Sequence, residues 1–230
     1  MGIAKSARSR MILPAADAPA MAILLYDNPV STNAMKVRFL MAVLELDYER
    51  RLVPMPRPRP DWYLERYPFG TIPFMEDGDL ELGESNAMLR YLANREGRTD
   101  LYPTEPSERA RVDWALDAWS TQFRSGFFPA ERIGLMHEDI EQGGGRAEDA
   151  DQLQLADALD GAREKLDIME RFVAGNGTVL GLFSIADCAF APVLWRWYRL
   201  PLSFEPWPKV ALLRDTVTAH PAFAAMGPVA

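Results

Sequence analysis

Cysteine is nearly missing from this sequence: Cys188 is the single example in 230 residues. One thiol cannot close an internal disulfide, and it excludes every cysteine-cluster metal site. Histidine is almost as scarce, and His137 and His220 lie too far apart for metal-ligand spacing. No stretch approaches the ~18 continuous apolar residues of a membrane-spanning helix. Near the start, Lys5, Arg8 and Arg10 precede only Met11-Ile12-Leu13 before Pro14, too short for a secretory leader. Positive charge is in deficit, with 25 Lys and Arg against 33 Asp and Glu and a net charge of −8. That balance argues against broad electrostatic binding to DNA, RNA or an acidic membrane surface. Together the absences predict a metal-free cytoplasmic protein that engages neither nucleic acid nor membrane.

What is present is enough apolar material for an ample core, at 48% hydrophobic residues. Residues 1–20 read as a disordered extension. From 21 to 97 the pattern spells a compact α/β unit with a mixed sheet. Its elements are a buried strand at 22–26, a helix at about 33–46 carrying Val37, Leu40, Met41 and Leu44, and a strand at 48–53. The proline-rich loop Pro54–Trp62 and a short helix at 61–66 follow. Two strands around the turn Asp77-Gly78-Asp79 come next, then a helix with Ala87, Met88, Tyr91 and Leu92 on one face. A linker at 98–106 follows, and from 107 to 230 only helical spacing remains. Val112, Ala115, Leu116, Trp119 and Phe123 mark a long helix, 141–151 a loop, and 150–174 another helix. Ser184 and Asp187 form an S-x-x-D capping pair that opens an apolar helix through Trp197, with Pro192 inside it. Short helices follow Pro208 and Pro221.

Three places can carry chemistry. Pro73 stands inside an apparent strand, where it has no amide hydrogen for the ladder. A cis Ile72-Pro73 bond would turn the Ile72 N–H and C=O out of the sheet to meet an extended peptide; the plainer reading is an edge strand that stops at the proline. Glu84-Ser85 stand where a helix begins. Ser85 and the free amides can hold a carboxylate there while Glu84 accepts from an ammonium, or the pair simply caps the helix. Ser31 lies just after the first strand, and its hydroxyl beside a helix N-terminus can stabilise a ligand thiolate or serve as an N-cap together with Thr32 and Asn33. A covalent serine nucleophile is disfavoured, because no histidine is near and no G-x-S-x-G elbow exists. Cys188 reads as a small buried hydrophobe.

The order of "LYDNPVSTNAMKVR", "YPFGTIPFMEDGDLELGES" and "FSIAD" resembles the cytosolic glutathione transferases, most closely the serine-dependent bacterial and plant phi-like types. The resemblance spans roughly 22–226. It implies a thioredoxin-like N-terminal domain binding glutathione as co-substrate, an all-helical C-terminal domain shaping the second-substrate pocket, and a homodimer. On it, Ser31 is the thiol-activating residue, with Tyr26 as rival. Ile72 is placed at the cysteinyl part of glutathione, Thr71 at a glutathione-binding position the family often fills with Gln or Lys, Glu84 and Ser85 at the γ-glutamyl end, and Arg57 or Arg59 near the glycine carboxylate. Of Trp119, Phe123, Phe127, Phe128, Trp195, Trp197 and Tyr198, most are expected in the core and two or three to line an apolar pocket facing Ser31, for a hydrophobic electrophile. The expected reaction is conjugation. Isomerisation, dehalogenation or peroxide reduction on the same scaffold, or a non-enzymatic interaction module, are the alternatives.

Overall fold

The computed structural model describes residues 23–135, 151–197 and 200–225. The expectations for residues 1–20, His137, Tyr198 and nearly all of the 141–151 loop fall outside them. Strand β1 (Ile23–Asp27), helix α1 (Thr32–Val43), strand β2 (Tyr48–Leu52) and helix α2 (Asp61–Arg66) lead into β3 (Phe74–Asp77), β4 (Leu80–Leu82) and α3 (Ser85–Arg95). The sheet order is β2-β1-β3-β4. β1 runs parallel to β2, while β3 is antiparallel to both β1 and β4. This is the thioredoxin-like arrangement, with a helical portion after it. That portion comprises α4 (Pro106–Ala118), a π-helical turn (Trp119–Phe123), α5 (Arg124–Leu135), α6 (Gln152–Phe172), α7 (Ile185–Trp197), α8 (Pro208–Thr218) and α9 (Pro221–Ala225).

The two faces of β1 serve different cores, as the period-two alternation of a strand requires. Ile23 and Leu25 join Met35, Phe39 and Leu40 of α1, Met88 and Leu92 of α3, and the apolar residues of α7 in the main core. Tyr26 faces the other way, into a smaller cluster with Val53, Tyr63, Tyr67, Ile72 and Phe74 beside α2. Every residue of α7 is buried, which suits a helix apolar on nearly all sides. Its start is the expected capping pair: the Ser184 N–H donates to Asp187 Oδ2 at 2.7 Å, and Val179 N–H donates to Oδ1 at 2.8 Å. Burial pushes the Asp187 carboxyl up to about 6 despite these bonds. Cys188 is fully buried among apolar neighbours, and burial drives its thiol pKa well up.

Three expectations shift in detail. Pro73 lies just before β3 rather than within a strand, so it interrupts no ladder bond. The buried face of α3 is Ser85, Met88, Leu89, Leu92 and Ala93, with Ala87 and Tyr91 only half-buried. The cause is Tyr91, whose hydroxyl leaves the core to donate to Asp77 Oδ2 at 2.7 Å. The long helix predicted from Val112 to Phe123 is not one regular helix, because a π-helical turn joins α4 to α5. Trp119, Phe123, Phe127 and Glu131 recur every fourth residue and are all buried. An α-helix drifts about 40° at each such step, and a wider turn takes up part of that drift.

Candidate functional site

β3 starts beside the end of β1, with Tyr26 opposite Phe74 in the ladder. The residues just beyond that pair therefore meet: the chain leaving β1 toward α1, and the chain arriving at β3. Ser31 is the N-cap of α1, its oxygen accepting from the Ala34 N–H at 3.3 Å. Its hydroxyl donates to the Ile72 carbonyl at 3.3 Å, directly before the cis Ile72–Pro73 bond. That carbonyl is thus occupied by Ser31, whereas sequence reasoning left it open to a ligand. Thr71 follows the same wall; its backbone carbonyl takes the Tyr63 hydroxyl at 2.5 Å and its side chain donates to the Tyr67 hydroxyl at 3.3 Å.

Ser31, Thr71 and Ile72 line a cleft of about 540 Å³. One wall comes from the α1 start and the proline-rich loop, with Val30, Met55, Arg57 and Arg59; the other comes from Arg124, Phe128 and Arg132 of α5 and Arg196 of α7. Arg59 is buried and bonded to the carbonyls of Pro54, Pro56 and Gly70, so it braces the loop around a second cis bond, Arg57–Pro58. Burial and then the neighbouring Arg57 lower its pKa.

Glu84 and Ser85 line an adjoining hollow of about 400 Å³ with Asn33, Lys36, Arg90 and Arg124. Asn33 and Arg124 border both spaces. Glu84 precedes α3 at φ +58°, a region that side-chain-bearing residues rarely occupy, and its side chain makes no cap bond. Ser85 is the first helical residue, and its N–H, like those of Asn86 and Ala87, is beyond the reach of intrahelical acceptors. The simple capping reading of Glu84-Ser85 is therefore not what the geometry shows.

Tyr26 does not border the cleft. Its hydroxyl donates to Glu76 Oε1 at 2.7 Å, and burial followed by Glu76 raises its pKa. Most of the aromatics are core, and fewer than the expected two or three line the cleft. Trp119, Phe123, Phe127, Trp195 and Trp197 are buried core residues, and Phe128 alone of the described aromatics lines the cleft, at 43% exposure. In place of an aromatic wall stand arginines.

Sequence reasoning missed Lys36, which is only 2% exposed. Its ammonium donates to Asn86 Oδ1 at 2.6 Å, and Asn86 in turn donates to Leu116 O and Ser120 Oγ, linking α1, α3 and the π turn. Burial, and after it Arg124, lowers the Lys36 pKa to about 7. The signal was available: Lys36 lies four residues before Leu40, on the apolar stripe of α1. Arg124, Phe128 and Arg132, spaced by four along one helix face, were missed too, and their spacing alone marks a shared face without saying what it meets.

Residues 25–100 match the family described as "Glutathione S-transferase, N-terminal domain". Glutathione S-transferase 3 of Zea mays is 32% identical over 212 residues, covering 86% of this chain and 90% of that protein. Glutathione S-transferase GstB of Escherichia coli K12 is 29% identical over 204 residues, covering 87% and 95%. The theta class glutathione S-transferase of Xanthomonas axonopodis pv. citri, solved with glutathione bound, superposes with a TM-score of 0.77 at 24% identity, over 90% of this chain and 97% of that one. With 32% identity to the maize protein over most of both chains, and with the fold to match, this chain belongs to the glutathione S-transferase family.

Proposed function

We propose that the chain is a glutathione transferase that holds glutathione across the cleft and the adjoining hollow, with Ser31 activating the thiol. The supporting observation is the placement of the Ser31 hydroxyl at the start of α1, facing Ile72 O over a contact of 3.3 Å. A bond that long is weak, so the hydroxyl can turn from the carbonyl to a sulfur at little cost. There it donates to the thiolate beside the positive end of the helix, which favours the anion. The Ile72 N–H and the Thr71 backbone run along the cysteinyl part. At the γ-glutamyl end the ligand offers both a carboxylate and an ammonium. Ser85, the first amides of α3 and the Lys36 ammonium suit the carboxylate, and Glu84 suits the ammonium. Arg57 or Arg59 takes the glycine carboxylate.

The thiol proton leaves to solvent. The thiolate then attacks an electrophilic carbon of a co-substrate with an apolar body, forming a C–S bond as the leaving group departs or a double bond is saturated. Thiolate stabilisation and proximity supply the rate. The protein acts in the cytoplasm, in detoxification, as a homodimer, and sedimentation velocity at micromolar concentration reads that state. No described helix is long and apolar enough to cross a membrane. The test of the whole reading is binding: glutathione should raise the melting temperature and the chain should be retained on immobilised glutathione. Neither response would leave an interaction module as the better account.

A further inference from the structure

The charge of the cleft is opposite to that of the chain. The whole sequence carries −8, yet among the described residues every charged one lining the 540 Å³ cleft is an arginine: Arg57, Arg59, Arg124, Arg132 and Arg196. Arg57 and Arg59 sit on the loop side, where the glycine carboxylate of glutathione accounts for them. The arginines of the helical wall have no such use. Arg124, Phe128 and Arg132 form one row along α5, and the Arg124 guanidinium lies 4.6 Å over the Phe128 ring. Among the described residues Glu131, fully buried, is the carboxylate paired with this wall, at 3.3 Å from Arg124 and 4.0 Å from Arg196. It faces both guanidiniums and does not line the cleft. Arg196 is anchored as well by donation to the Val30 carbonyl at 2.7 Å. Arg132 is exposed, two turns beyond Arg124, and makes no ion pair among the described residues. Among the described residues Glu131 pairs most closely with Arg124, and Arg132 adds a positive charge beside it, in a recess where charges are screened less than at an open surface.

We infer that the second substrate is an electrophile bearing a carboxylate, with its apolar body against Phe128, Val30 and Met55 and its anionic group on Arg132 and Arg124. Guanidinium forks bind carboxylates through paired, charge-assisted hydrogen bonds, which gives both affinity and orientation. The inference rests on the glutathione reading above and gives that site its substrate class. No change in the bond-making step follows: the thiolate adds to the electrophilic carbon, and the carboxylate takes no part beyond binding.

The experiment compares two benzylideneacetones, one carrying a para-carboxymethyl group and the other its methyl ester. The methylene insulates the reacting double bond from the charge, and each rate is divided by the uncatalysed rate with glutathione. The carboxylate should be preferred in kcat/KM by about tenfold or more, as expected for a hydrogen-bonded charge in a recess. Arg132→Gln should reduce that ratio about tenfold, Arg132→Lys should reduce it less, and Arg163→Ala, on the exposed face of α6, should leave it alone. A ratio of one in the parent chain, or a ratio that Arg132→Gln does not move, overturns the inference. So does an Arg132→Gln variant whose loss is in glutathione affinity instead, since the arginine would then serve glutathione itself. If glutathione gives no thermal shift in the parent chain, the glutathione reading falls and takes this one with it; with that shift intact, failure of the ratio sinks the substrate class alone.

Discussion

The Ser31 hydroxyl rests 3.3 Å from the carbonyl of Ile72, a residue 41 positions later in the chain. The two meet because β3 begins where β1 ends, so the first turn of α1 and the entry to β3 share one end of the sheet. Replacing that hydroxyl tests the proposed chemistry most directly. A charge-assisted hydrogen bond contributes about 1.5–3 kcal/mol, or roughly one to two pKa units on a thiol that otherwise titrates near 8.5. Ser31→Ala should therefore slow conjugation at neutral pH by about ten- to a hundredfold, with partial recovery as pH rises toward 9. The check is a pH–rate profile beside glutathione affinity for each protein. An unaltered profile would pass the role to Thr32 or Asn33.

Glu84 separates binding from stability. At φ +58° its backbone is strained, and glycine there should relieve about 1 kcal/mol. Glu84→Gly should melt higher than Glu84→Ala, while both bind glutathione more weakly than the parent. Ser85→Ala should share the loss of affinity. If all three bind like the parent, glutathione does not use this hollow.

Lys36 links pH to both folding and binding. An ordinary lysine holds its proton to about 10.5, whereas burial lowers this one to about 7. Between those values the unfolded chain binds more protons than the folded one, so stability should rise with pH across the window. The penalty, on the order of a few kcal/mol, is complete below pH 7 and gone above 10.5. Lys36→Met should flatten the rise, read from urea midpoints at pH 7 and pH 9.5; parallel trends in the two proteins would contradict it. A ligand carboxylate beside Lys36 should also restore its proton. Calorimetry of glutathione binding at pH 8, in buffers of differing ionisation heat, should then show proton uptake by the complex.

Asp187 accepts from the amides of Val179 and Ser184 inside the core. Asp187→Ala leaves both donors buried without a partner, at about 1–3 kcal/mol each. The variant should lose roughly 3 kcal/mol in denaturant titrations while its folded fraction keeps its glutathione affinity. The parent's own slope has the reverse sign to that of a surface carboxylate. Because the folded pKa sits near 6 and the ordinary value is 3.8, this group's contribution falls as pH rises from about 4 to 6. An Asp187→Ala protein with the same slope would refute that assignment.

Much of this was legible from spacing alone. The βα alternation, the Ser184–Asp187 pair and the isolated Cys188 each follow from local rules that tertiary packing did not override. The phase of α3 was misjudged because Tyr91 looks apolar in a pattern but spends its hydroxyl on Asp77. The cleft was misread for a related reason. Two or three aromatics were expected in the lining, yet Phe128 alone of the described ones lines the cleft, while Trp119, Phe123, Phe127 and Trp197 fill the core, where large apolar surface belongs. Arginines on an amphipathic helix read as a solvated face, and only the position of α5 against the start of α1 turns that face into a wall.

The π-helical turn at Trp119–Phe123 gives that wall an adjustable setting. An α-helix advances about 100° per residue. Losing one residue from the wide turn would rotate α5 by about that angle against α4 and swing Arg124, Phe128 and Arg132 away from Ser31. Ser31, Ile72, Glu84 and Ser85 lie on other elements and would stay where they are. Here chain length, independent of which amino acids are used, decides what faces Ser31.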